Sequence, residues 1–90
     1  MKIKVFQLVI VESGSSTNGP TVLNVITEID PAEIANAIEE DYNATLDEND
    51  TITVSTDEIK HDASWEKASE EGDLVYTWQV LEKEIELTEV

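Results

Sequence analysis

The last long stretch of the chain carries its clearest pattern. From Asp73 to Leu87 it reads DLVYTWQVLEKEIEL, and Leu74, Tyr76, Trp78 and Val80 recur at every second position. That period places four large apolar side chains on one face of a strand, enough for one wall of a core. Beyond Leu81 the pattern changes. Glu82, Glu84 and Glu86 share one face, and Lys83, Ile85 and Leu87 the other. The adjacent apolar pair Val80 and Leu81 predicts a switch of inward face there, of the kind a β-bulge produces.

The start of the chain is apolar on both faces. Val5, Val9 and Val11 alternate with Phe6, Leu8 and Ile10 between Lys2 and Glu12, which predicts a central strand. SGSSTNGP follows, residues 13 to 20, a turn-forming loop expected to have a flexible tip. Thr21 to Ile29 then alternates Leu23, Val25, Thr27 and Ile29, which predicts a second strand in an antiparallel hairpin with the first.

Asp30-Pro31-Ala32-Glu33 is a helix start, with a capping Asp, Pro at the first helical position and an acid where a capping box places it. Ile34, Ala37, Ile38 and Tyr42 keep helical spacing, so a helix is expected from Pro31 to about Tyr42. Thr51 to Thr56, TITVST, predicts a third strand with Ile52 and Val54 inward. Asp57 to Gly72 has no clean stripe. A short helix over Trp65 to Glu71, capped by Ser64 and ended by Gly72, is the expectation there.

The order β-β-α-β-(α)-β predicts an α+β fold: residues 1–90 as a single small domain, with a mostly antiparallel four-stranded sheet packed on one helix. Its expected core is Val5, Leu8, Ile10, Leu23, Val25, Ile34, Ile38, Ile52, Val54, Tyr76 and Trp78. MKIKVFQLVIVES resembles a leader only superficially. Its apolar run is short, is interrupted by Gln7 and lacks a small-residue cleavage pattern, so a strand in a cytoplasmic protein is the expectation.

Charge changes this picture. The chain has 21 acids, five lysines and no arginine, a net charge of −16, about twice the upper end of the roughly 2–8 usual for a small domain. Lys2, Lys4 and Glu12 leave residues 1–27 at +1; twenty acids and three lysines leave residues 28–90 at −17. Direct binding to nucleic acid or an anionic membrane is disfavoured, and a basic, nucleic-acid-binding protein is the natural partner. The absence of cysteine excludes disulfides, thiol catalysis and cysteine-held zinc.

Two acidic features stand out. Glu39, Glu40 and Asp41 crowd the end of the helix, where the macrodipole disfavours acids by roughly 0.3–1 kcal/mol each. Glu82, Glu84 and Glu86 lie about 6.6 Å apart on a strand, a spacing comparable to the path between phosphates along a wound DNA strand. The plainer reading of each is a solvated surface, the strand row also blunting an edge against aggregation.

No catalytic, cofactor or metal motif accompanies them. Asp47, Asn49, Thr51 and Glu58 imitate calcium-loop spacing, but Ile52 occupies the position that needs Gly. His61 is the single histidine, without a serine or cysteine nucleophile context. Trp65 and Trp78 read as core or interface anchors. Among so many acids, no particular pair of carboxylates points to acid–base chemistry.

In size and charge the chain resembles the small acidic inhibitors that phages and mobile elements deploy against restriction, CRISPR and other DNA-binding proteins. The resemblance implies a non-enzymatic DNA mimic that blocks a basic groove. The expected contact residues are Glu82, Glu84 and Glu86 with Glu39, Glu40 and Asp41, or with Glu66, Glu70, Glu71 and Asp73. The alternative is a small acidic accessory or adaptor domain whose charge serves solubility or a high-salt cytoplasm.

Overall fold

The structure, a computed structural model, describes residues 1–14, 19–47, 51–69 and 71–86. The expected flexible tip at residues 15–18 lies outside them, as do Glu70 and Leu87. Four strands form one antiparallel sheet: β1 (Lys2–Gly14), β2 (Thr21–Glu28), β3 (Ser64–Ala68) and β4 (Leu74–Glu86), in the order β2-β1-β4-β3. One helix, α1 (Pro31–Ala44), packs on one face of it. The expected α+β class and its four-stranded antiparallel sheet on a single helix are what the chain forms.

β1 is central because both its faces are apolar. Phe6, Leu8 and Ile10 face the helix, and Val5, Val9 and Val11 face away. β4 pairs with β1 in unbroken register from Lys2–Glu86 to Gly14–Leu74. The bulge expected at Val80–Leu81 is therefore absent. Leu81 lies on the far face, while Tyr76, Trp78 and Val80 stay inward. The irregularity falls in β2 instead: the register shifts by one between Ile10 and Val11, leaving Leu23 unpaired.

That register corrects two core expectations. Leu8 pairs with Ile26 and Val9 with Val25, so Asn24 and Ile26 face the helix and Val25 faces away. Leu23 and Val25 are about half exposed. Both alternating sets of β2 contain apolar residues, so composition alone chose the wrong face; pairing with β1 made the choice. Ile34, Ile38 and Trp78 are fully buried as expected.

The helix starts as its sequence requires. The Asp30 carboxylate accepts the Ala32 N–H at 2.9 Å, with Pro31 in the first turn. It runs slightly past Tyr42, to Ala44. Its last turn holds no basic residue, but Lys67 arrives from β3. The Lys67 ammonium donates to the Tyr42 carbonyl at 2.9 Å and sits 4.7 Å from the Tyr42 ring. A buried cation at a helix C-terminus offsets the dipole penalty of the neighbouring acids.

The third expected strand is displaced. Thr51 to Ser55 is extended and turns its apolar residues inward, but it joins no sheet. Its backbone bonds to α1 side chains instead. The Asn43 amide accepts from Ile52 N at 2.8 Å and donates to Ile52 O at 3.2 Å, and the Glu39 carboxylate accepts from Val54 N at 3.2 Å. The period-two pattern reported burial correctly; two helix side chains took the place of a neighbouring strand.

The third strand lies instead at Ser64–Ala68, inside the segment expected as a short helix. Trp65 pairs opposite Trp78 and Lys67 opposite Tyr76. An inward lysine concealed the alternation. Gly72, expected to end a helix, takes φ +75° in the β3–β4 turn, where its N–H bonds to the Ser69 carbonyl. At the same end Gly14 passes so close to this turn that an added Cβ would collide with the Asp73 carbonyl. Gly14→Ala is expected to cost about 1–3 kcal/mol through forced strand displacement. Urea denaturation checks this, and an unchanged midpoint would contradict the close approach.

Candidate functional site

Helix direction determines which acids meet. β2 ends at Glu28, level with Phe6 and Glu82, and α1 begins three residues later. At the other end of the helix, Asp41 reaches Trp78 and the Tyr42 carbonyl reaches Lys67. So α1 starts at the Glu82 level and finishes at the Trp78–Tyr76 level of the sheet. The Thr51–Ser55 segment returns along it, closing the side over β4.

At the end where α1 finishes lie Glu12, Glu40, Asp41, Glu66, Glu71 and Asp73. Glu12 is level with Tyr76, Glu66 is level with Thr77 on the other face, and Glu71 and Asp73 lie in the β3–β4 turn. Among the described residues the only lysine at this end is Lys67, buried against Tyr42. Lys2, Lys4 and Lys83 lie at the opposite end, on β1 and β4. Lys60 joins them, next to His61, whose Nδ1 accepts the Glu82 N–H at 3.1 Å.

The strand row is therefore compensated. Lys4 pairs with Glu84 across the strands and Lys2 with Glu86. The Lys4 ammonium holds the Glu82 carboxylate at 2.6 Å. Hydrogen bonding to Lys4 lowers the Glu82 pKa, and the same bond raises that of Lys4. The pair's contribution is present above the ordinary carboxylate range and is lost as pH falls through the lowered Glu82 value. At an exposed site it is small.

Two of the three helix-end acids have internal partners. The Glu39 carboxylate accepts the Val54 N–H, and the Asp41 carboxylate accepts the Trp78 indole N–H at 2.7 Å. Glu40 is exposed. Glu12 also has a partner: the Tyr76 hydroxyl donates to it, which raises the Tyr76 pKa. The expected combination of Glu82, Glu84 and Glu86 with Glu39, Glu40 and Asp41 runs along β4: Trp78, at the helix end, is four residues from Glu82, about 14 Å. Trp78 and Glu84 are six residues apart on β4, about 20 Å. Glu12, level with Tyr76, lies nearest to Asp41 along the sheet, and Asp73 is five residues from Trp78, about 17 Å, with Glu71 beyond it in the β3–β4 turn. The alternative grouping of the strand row with the Glu66–Asp73 region is more widely spread: Glu66 is level with Thr77 on the other face, and Glu71 and Asp73 lie beyond Leu74, at the opposite end of β4 from Glu84 and Glu86.

Between α1 and β2 the structure leaves a cleft of about 290 Å³. Ile10, Ile26 and Ala37 supply apolar walls, and Asn24, Glu40 and Asp41 supply polar groups. No pattern along the chain signals it, because it depends on Asn24 facing inward beside the helix. The arrangement suits a long cationic side chain, with its aliphatic stem against the apolar walls and its head at the carboxylates.

Other candidate chemistry finds no support. The Glu58 carboxylate accepts from Ser55 N at 3.1 Å and from its hydroxyl at 3.3 Å, closing a turn, and Asn49 of the calcium-like spacing lies outside the described residues. Among the described residues no three His, Asp or Glu side chains gather as metal ligands, and no helix is long and apolar enough to cross a membrane. Comparison of the chain with known protein families, characterised proteins and solved structures gives no match.

Proposed function

We propose that the chain is an acidic mimic of nucleic acid that occupies the basic groove of a DNA- or RNA-binding protein and excludes its nucleic acid. It would act in the cytoplasm, that of the host cell if a phage or mobile element encodes it, as anti-restriction and anti-CRISPR inhibitors do. The carrying observation is the separation of charge. The end of the molecule where α1 finishes presents carboxylates whose one nearby ammonium among the described residues is buried, while Lys2 and Lys4 lie across from the strand row, with Lys83 on the other face of β4 and Lys60 beside His61 at the end of that row. A merely solubilising charge has no need of such segregation. An uncompensated acidic end attracts a basic groove and steers its approach. The α1–β2 cleft gives it a place to seat an Arg or Lys side chain.

Competition binding tests this. A basic nucleic-acid-binding protein retained from host lysate should be displaced by DNA or RNA, and its affinity should fall steeply with salt. E40Q/E71Q/D73N should weaken binding on the order of tenfold, taking three exposed ion pairs at roughly 0.2–1 kcal/mol each. E82Q/E84Q/E86Q should weaken it less, because Lys2 and Lys4 already offset that row. Equal losses would return the site to the strand. No loss in either variant, with no displacement by nucleic acid, would overturn the mimic.

A further inference from the structure

The face of the sheet turned away from α1 is nearly free of charge, and apolar but for Gln7, Ser13, Thr27, Ser64, Thr77 and Gln79. β1 contributes Ile3, Val5, Val9 and Val11, β2 contributes Val22 and Val25, and β4 contributes Val75, Leu81 and Ile85. The core cluster draws only on the opposite face; on this one Val5 is buried and Ile3, Val9, Val11, Val75 and Leu81 are partly exposed. Val22 is 58% exposed, Val25 48% and Ile85 43%. In a chain with 21 acids, the described strand residues of this face include one, Glu66, and one lysine, Lys83.

We infer that this face is the interface of a homodimer, two sheets packed back to back. The inference is independent of the proposed function. Charge selects the occupant. A basic partner is drawn to the acidic end, whereas two copies at −16 each can meet only where neither presents net charge, and this face has none. Area agrees. Thirteen residues each in β1 and β4, eight in β2 and five in β3, at about 3.4 Å per residue and about 4.8 Å between strands, span about 600 Å². Two such faces bury about 1,200 Å², above the roughly 1,000 Å² expected of a specific interface.

Symmetry supplies a further match. The level of the Leu8–Val80 pair is the midpoint of both long strands. A two-fold axis running across the strands there sets Val5 over the second copy's Val11, and Ile85 over its Val75. It also brings Lys83 to the level of the second copy's Thr77, beside Glu66. The two lone charges of the face thus meet, twice, in an isologous contact.

Sedimentation equilibrium of the full chain reads the result against a monomer of 10.0 kDa. The expected outcome is a dimer whose association strengthens from 0.1 to 1 M NaCl as repulsion between the acidic ends is screened, opposite in sign to binding of a basic partner. Val25→Asp, at a half-exposed position, should give a monomer with unchanged far-UV circular dichroism. Lys83→Glu should raise the dissociation constant at least about tenfold by setting like charges together, and K83E/E66K should restore it. A monomer at every concentration would overturn the inference, and so would a dimer indifferent to Val25→Asp. Failure of the double exchange to restore association would overturn the two-fold arrangement.

Discussion

Trp78→Ala is expected to destabilise the protein by roughly 3–5 kcal/mol, the range for deleting a large buried aromatic side chain. The indole is fully buried, its ring centroid 5.1 Å from that of Tyr42 and 6.4 Å from that of Tyr76. It also ties the helix to the sheet through its N–H bond to Asp41. Against a net stability of about 5–15 kcal/mol for a domain, the loss leaves a large unfolded fraction. Asp41→Ala strands the indole N–H and should cost about 1–3 kcal/mol. Trp78→Phe keeps an aromatic ring but removes the donor. The pair Trp78→Phe and Asp41→Ala should therefore be clearly non-additive. Urea denaturation followed by circular dichroism measures the three single variants and the double one. Additive costs would mean that the 2.7 Å bond contributes little.

Raising NaCl from 0.1 to 1 M should raise the melting temperature by several degrees. Over that range the Debye length falls from about 10 Å to about 3 Å, and 21 acids against five lysines make repulsion the larger exposed charge interaction. Screening also weakens the Lys4–Glu82 pair, but that is a single exposed contact. One kcal/mol corresponds to about 4–8 °C for a domain of this size, so modest relief of repulsion is measurable. The melts should use Val25→Asp, so that salt-strengthened association does not contribute. E40Q/E71Q/D73N should start higher and respond less to salt, because it removes charge from the uncompensated end. A flat response in both would mean that the acids are too dispersed to repel.

Much of the architecture was legible in the chain because it rests on local rules. Apolar residues on both faces made β1 central. Asp30-Pro31 began the helix, and Ile34 and Ile38 lined its buried stripe. The alternation of Tyr76, Trp78 and Val80 placed β4 against the core. Each signal depends on side-chain spacing along one element, which secondary structure converts directly into a face. Net charge was equally legible.

What the chain did not reveal depends on partners far apart in sequence. Val25 and Ile26 are both apolar, and only pairing with β1 decided which faced the helix. TITVST is buried like a strand, yet Asn43 and Glu39 replaced its neighbour. Lys67 hid β3 because its burial makes sense only beside the Tyr42 carbonyl. The acids show the same division. Sequence established how many there are and that they alternate along β4. Tertiary structure gave the β4 row its lysines, spent Glu39 and Asp41 on internal hydrogen bonds and left Glu40, Glu71 and Asp73 at one end. Charge count is a property of composition. Compensation depends on distance through space, because Coulomb interaction and hydrogen bonding act across the fold rather than along the chain.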